Sequence, residues 1–198
     1  SLVQRSDDHD AETRFTMLET IREYATEQLI TAGTRPAIRS RHALYYRDLV
    51  ERADRPLRGG PYLEMWLAML EREHDNLRAA LHWSLGGGDI ETGLKLVGGL
   101  GFFWFRAGHH QEGRRWTLLA LDKSEGASER LRAGVTMAAG RMAFATHDRA
   151  RGKRLDQEAL ALYRHLGDGW NSGWALCLLA SDGIGKPDEY EASLALCE

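Results

Sequence analysis

A chain of 198 residues, 43% of them hydrophobic, is long enough to bury a core as one or two domains, and its net charge of −3 favours no class of partner. The longest run free of charged and strongly polar side chains, Leu96 to Phe105, is far too short to cross a bilayer, and no basic-then-apolar leader opens the chain. Cys177 and Cys197 lie far apart, without the spacing of a zinc site or a disulfide framework, so a cytoplasmic protein without metal or cofactor is expected.

In chain order, "SLVQ" and "TRFTM" are strand-like segments around the polar stretch "RSDDHDAE", which predicts a hairpin within residues 1–17. Helices follow. Thr16-x-x-Glu19 has the form of a capping box, and Leu18, Ile21, Ala25 and Leu29 fall on one helical face. Gly33 offers a stop, and Pro36 opens a second helix that carries Ala43, Tyr46, Leu49, Val50 and Ala53 inward until Pro56, Gly59, Gly60 and Pro61 end it. A third helix is predicted from Tyr62 to Leu85, stopped by Gly86, Gly87 and Gly88. Its apolar series Leu67, Leu70, Leu77, Leu81 and Leu85 has a gap that His74 fills in phase, so His74 points inward.

From Asp89 onward the sequence repeats. Gly101 pairs with Gly113, Gly140 with Gly152 and Ala180 with Ala192, always at the same separation, and each pair follows the last at a nearly constant interval. Turn signals recur in phase at Gly108-His109, His147-Asp148 and Pro187-Asp188. This is the small/large spacing of tetratricopeptide helix pairs with a period longer than the usual one, and such pairs stack into a superhelical array with a concave face. The expected organisation is residues 1–33 as hairpin and linking helix, 34–88 as a helical connector pair, and 89–198 as repeats at about 89–126, 127–167 and 168–198, the last cut short. "SLVQR" and "ASLALCE" begin and stop within patterned segments, as in a piece of a longer protein.

"EREHDNLRAALHW", Glu71 to Trp83, is the segment most like a reactive site. His74 and His82 are eight residues apart, so on one helix they stand roughly 12 Å apart along the axis and about 80° apart in direction, and one ion cannot bridge them. Glu71, His74 and Arg78 share a side of the helix, which reads as an inward histidine held by a carboxylate. Glu71, His74 and Asn76 are therefore assigned to docking the first helices. His109 and His110 fall in a turn, HExxH and GxSxG are absent, and "GGLG" at Gly98 to Gly101 lies in an apolar helix pattern where glycine permits close packing. No catalytic residue is assigned. Arg35, Arg39, Arg41, Arg47, Arg52, Arg55 and Arg58 make the second helix basic, but the segment before Arg35 carries an equal acidic excess, so mutual neutralisation is expected rather than direct nucleic-acid contact.

Several of these segments are similar to a known class. "RFTMLETIREYATEQL" resembles the junction after the winged helix in bacterial STAND signalling ATPases, a class that includes LuxR-type and SARP-type transcriptional regulators. "EREHDNLRAALHW" looks like the helix just downstream, and "AGHHQEGRRW" and "LGDGWNSGWALCLLA" resemble the repeats that follow, so the resemblance covers essentially the whole chain. It departs at "SDGIGKPDEYEA" and at Asp156, where a large apolar residue is expected. The resemblance implies an all-α, tetratricopeptide-like superhelix behind a small β-hairpin. It also implies a non-catalytic sensor that binds a small-molecule or protein inducer and controls an ATPase and winged helix upstream in the same chain, with a homo-oligomer of the full-length protein left open. Trp104, Arg106, His109 and Trp174 are the residues assigned to partner binding. The alternatives are a helical enzyme domain with a distributed site, or a nucleic-acid-binding domain using the basic second helix.

Overall fold

The computed structural model describes residues 3–6, 14–17 and 19–181. The chain divides into two compact units, residues 1–41 and 42–198, each taken by itself.

In the first unit β1 (Val3–Ser6) pairs antiparallel with β2 (Arg14–Met17), placing Val3 opposite Met17 and Gln4 opposite Thr16. Helix α1 spans Glu19–Thr31. The ladder carries the chain as far as Met17, so the helix starts at Glu19 rather than directly after Thr16, and Thr16 is a strand residue instead of the expected cap. The stop at Gly33 has a definite mechanism. Gly33 has φ +65°, its N–H donates to Ile30 O, and Thr34 N–H donates to Leu29 O. These two bonds form the Schellman motif, which satisfies carbonyls that the helix end leaves open and requires the left-handed conformation that glycine adopts without strain.

The second unit is built from helices. Helix α2 is Arg35–Arg58, with residues from His42 onward in this unit, followed by α3 (Leu63–Arg72), α4 (His74–Leu85), α5 (Ile90–Arg106) and α6 (His110–Lys123). Then come α7 (Glu129–Ala145), α8 (Arg149–His165) and α9 (Gly169–Ser181). The single helix expected over residues 62–85 is thus two, interrupted at Glu73, whose backbone leaves helical geometry at φ −94° and ψ 6°. The Glu73 carboxylate accepts from Tyr46 Oη at 2.6 Å and from Asn76 Nδ2 at 2.7 Å, which ties the break to α2. The interruption is confined to Glu73, so the apolar phase continues across it: Leu70, Leu77, Leu81 and Leu85 are all buried.

Helix starts recur with the spacing of the glycines. Ile90, Glu129 and Gly169 open α5, α7 and α9 at nearly equal intervals, and His110 and Arg149 open α6 and α8 at the same interval. Helix α5 packs on α4, α6 and α7, α7 also on α6 and α8, and α8 on α9. Small residues set the closest approaches. An added Cβ on Gly101 would lie 2.9 Å from Ala138 Cβ, and one on Gly98 would lie 3.3 Å from the Gly134 backbone, so these two glycines of "GGLG" face α7, while Gly99 faces Val50 of α2. Gly113 likewise brings α6 onto Trp104 of α5, and Gly152 brings α8 onto Gly140 and Phe144 of α7. Asp156, the acidic residue at an apolar position of the pattern, is buried against Gly140.

The turns repeat as well. Gly108 has φ +82°, and His147, one repeat further on, has φ +67°. Asp89, Asp148 and Asp168 cap the helices that follow them by accepting from the backbone N–H of Thr92, Arg151 and Asn171. Ala192 and the Pro187-Asp188 turn lie outside the described residues. Among the described residues no helix is long and apolar enough to cross a membrane.

Candidate functional site

Two places in the second unit gather polar groups around packed helices. The first is where α3, α4 and the turn between α5 and α6 meet. His74, the first residue of α4, is buried with its ring edge-on to Phe103 and 4.3 Å from the His109 ring, measured between centroids. His109 Nε2 is 2.8 Å from Glu71 Oε2, and His74 Nδ1 is 4.0 Å from Glu71 Oε1. On the other side His74 Nε2 lies 3.3 Å from Glu112 Oε1, without the geometry of a hydrogen bond. Glu112 is held by Arg78, which donates from Nε at 2.9 Å and from Nη2 at 2.6 Å, and by Trp116 Nε1 at 3.3 Å.

The charges in this cluster follow from burial and pairing. Burial keeps the His74 imidazole below its usual range, against the pull of the Glu112 carboxylate. Burial also pushes Glu112 upward, but the Arg78 hydrogen bond and the surrounding positive charge outweigh it and hold the carboxyl at about 2. Since burial favours neutral His74 at pH 7, Arg78 is the cation chiefly responsible. At that pH the cluster holds a carboxylate firmly paired with arginine beside a neutral imidazole.

The second place is a cavity of about 330 Å³ whose wall combines α2, α5 and α7 with side chains from α8 and α9. Its surface is apolar at Val50, Leu94, Leu131 and Met137 and charged at Glu51, Asp54, Lys95 and Arg130, with Gly98, Gly99 and Gly134 completing the wall. Arg58 lines it and is 6% exposed. Three of the Arg58 hydrogen bonds go to Asp54, at 2.9 to 3.2 Å, and its guanidinium lies 5.0 Å from the Phe102 ring centroid, yet Nη1 is buried without a partner. Asn171 Oδ1, also on the wall, is buried and unpartnered, while burial pushes the nearby Tyr163 hydroxyl upward in pKa and keeps it neutral.

The residues assigned to partner binding do not form one surface. Trp104 is 1% exposed, packed within α5 against Gly113, so it is a core residue and not an anchor for a partner. Trp104 lies on the face of α5 that packs against α6, so it is covered. Arg106 reaches back to the end of α2, donating to Leu57 O at 2.8 Å and Arg58 O at 3.2 Å. Trp174 is half-buried against Phe102 and Trp170, behind the Arg58 side of the cavity. His109 alone of the four belongs to the histidine cluster. Of the docking residues, Glu71 and His74 join that cluster, whereas Asn76 serves the Glu73 break.

Sequence spacing did not single out Arg58, Glu112 or Asn171, because each acquires its role from a helix distant in sequence. The basic second helix is neutralised in part from within. Arg47 pairs with Asp48, Arg58 with Asp54, and the Arg55 guanidinium lies over Trp170.

Over 111 residues, 56% of this chain, the sequence is 37% identical to proteins named HTH-type transcriptional regulator in Mycobacterium bovis and in two strains of Mycobacterium tuberculosis. The matched stretch spans 12% of the length of each of these relatives. No family model and no solved structure gives a significant match.

Proposed function

We propose that the chain is the sensor and protein-interaction region of a bacterial ATP-dependent transcriptional regulator, a tetratricopeptide-like array without catalysis of its own. It binds an inducer or partner and thereby biases an ATPase switch upstream. The regulatory class is supported by the similarity to the mycobacterial regulators, and the stacked-pair reading by the regular recurrence of helix starts and by contacts between alternate helices.

The observation that carries the sensor reading is the cavity shared by α2, α5 and α7, which joins apolar Val50, Leu94, Leu131 and Met137 to charged Glu51, Asp54, Lys95 and Arg130. Small-molecule sites are typically apolar clefts with a few polar groups that fix orientation, and this lining describes a ligand with a small apolar body and polar or charged ends. Such a ligand touches three helices of the array at once, so it favours one spacing of them over another. It can shift the attached switch only by the ratio of its affinities for the two states.

Gly134→Leu tests this. An added Cβ at Gly134 would meet nothing closer than 3.8 Å, so the helix accepts a side chain there, and the rest of the leucine enters the cavity. In cells carrying the full-length regulator, the variant should abolish induction of its target promoter while the purified chain keeps its melting temperature. Induction unchanged by a leucine in the cavity would overturn the sensor role of this site.

A further inference from the structure

We propose that Glu71, His74 and His109 form a binding site for a divalent transition-metal ion of the zinc type, with Glu112 as the outer carboxylate that orients His74. One donor atom from each of the three residues can be chosen so that all lie within 4.8 Å of one another. A tetrahedral ion with bonds of about 2.0 to 2.1 Å needs its donors about 3.4 Å apart. His109 Nε2 stands 2.8 Å from Glu71 Oε2 and His74 Nδ1 stands 4.0 Å from Glu71 Oε1, so the two imidazoles approach the two oxygens of one carboxylate. Glu71 is exposed and His109 half-buried, so rotation of these two side chains is what would bring the donors to tetrahedral spacing around buried His74.

The surroundings favour this use of the three residues. Metal-bound histidines normally direct their second ring nitrogen at a carboxylate, which fixes the tautomer and strengthens the donor. His74 comes close to that arrangement: Nδ1 is the nitrogen turned toward Glu71, and Nε2 lies 3.3 Å from Glu112 Oε1, where turning of the ring on metal binding would complete the hydrogen bond. Glu112 is in turn fixed by Arg78 and Trp116, so the outer carboxylate is rigid before any ion arrives. Two imidazoles and one carboxylate suit zinc, cobalt or nickel better than magnesium or calcium, which prefer all-oxygen shells. Three protein ligands leave a fourth position open on the solvent side, where Glu71 is 52% and His109 27% exposed.

The site also has a structural consequence. Glu71 lies in the last turn of α3, His74 begins α4, and His109 precedes α6, so an ion there would clamp the interrupted α3–α4 segment to the first repeat pair. This does not depend on the cavity or on the regulatory reading. The test is titration calorimetry of the 198-residue chain with zinc chloride after chelator treatment, with cobalt chloride followed by visible absorption. One equivalent should bind, cobalt should give the intense bands of tetrahedral coordination, and zinc should raise the melting temperature. Glu71→Gln and His109→Ala, both at accessible positions, should each weaken zinc at least tenfold without lowering metal-free stability by much. His165→Ala, at an exposed histidine on α8 paired with Glu129, should bind as the unaltered chain does. Absence of stoichiometric binding, or binding unaffected by both Glu71→Gln and His109→Ala, would overturn the proposal.

Discussion

Arg106 Nε donates to Leu57 O at 2.8 Å, joining the last turn of α5 to the last turn of α2, far back in the sequence. The same guanidinium reaches Arg58 O at 3.2 Å. Carbonyls at a helix C-terminus have no partner within the helix, and a cationic donor satisfies them while favouring the negative end of the dipole. Arg106→Ala should therefore cost about 1–2 kcal/mol in urea unfolding. Arg106→Lys, which retains charge but not the fork, should recover only part of it. If Arg106→Ala is neutral, the contact is surface decoration.

The glycines of the repeat should separate into those that cannot take a side chain and those that can. A Cβ at Gly113 would lie 2.5 Å from Met142 Sδ and 2.9 Å from Trp104, inside a packed core. Gly113→Ala should destabilise by about 1–3 kcal/mol through overpacking. Gly134→Ala meets atoms only at 3.8 Å and should be neutral or stabilising by up to about 1 kcal/mol, since alanine is the better helix former. Equal thermal midpoints for the two variants would contradict this account of how α5 meets α6 and α7.

Asp168 gives the chain a defined acid sensitivity. Burial pushes its carboxyl upward, but hydrogen bonds from Asn171 N, Asn171 Nδ2 and Arg130 Nη1 outweigh that and hold it below its ordinary 3.8. A depressed carboxyl contributes stability that is fully present above the unfolded value and is lost as pH falls through the folded one. Asp168→Asn keeps a capping group but removes the charge, so at pH 7 it should be less stable by roughly 0.5–1 kcal/mol. Denaturant curves of the two proteins should converge as pH drops below about 3.8. A gap that stays constant down to pH 2.5 would rule out the charge as its source.

Much of the fold is legible in the sequence because its signals are local or periodic. Gly33 ends α1 through a conformation that few other residues adopt easily, and the inward phase of His74 follows from the leucines on either side. The repeat interval of the small residues survives into helix starts because each repeat must put a small residue at the same crossing. What escaped the sequence depends on partners far along the chain. The Glu73 break keeps the apolar phase, so periodicity alone reads one helix where there are two. His74 and His109 are remote from each other in sequence, and only the folding of α5 and α6 brings their rings together. Trp104 and Arg106 fall on a helix with neighbours on several sides, where residue type does not say which aromatic is core and which cation is a cap.

The proposal that this array governs an ATPase switch is tested most directly by ATP hydrolysis of the purified full-length regulator, compared with the same protein lacking residues 89–198. Removal of the array should change the basal rate at least fivefold and abolish its response to inducer. A rate and a response that are the same with and without those residues, or no hydrolysis by either protein, would contradict the account.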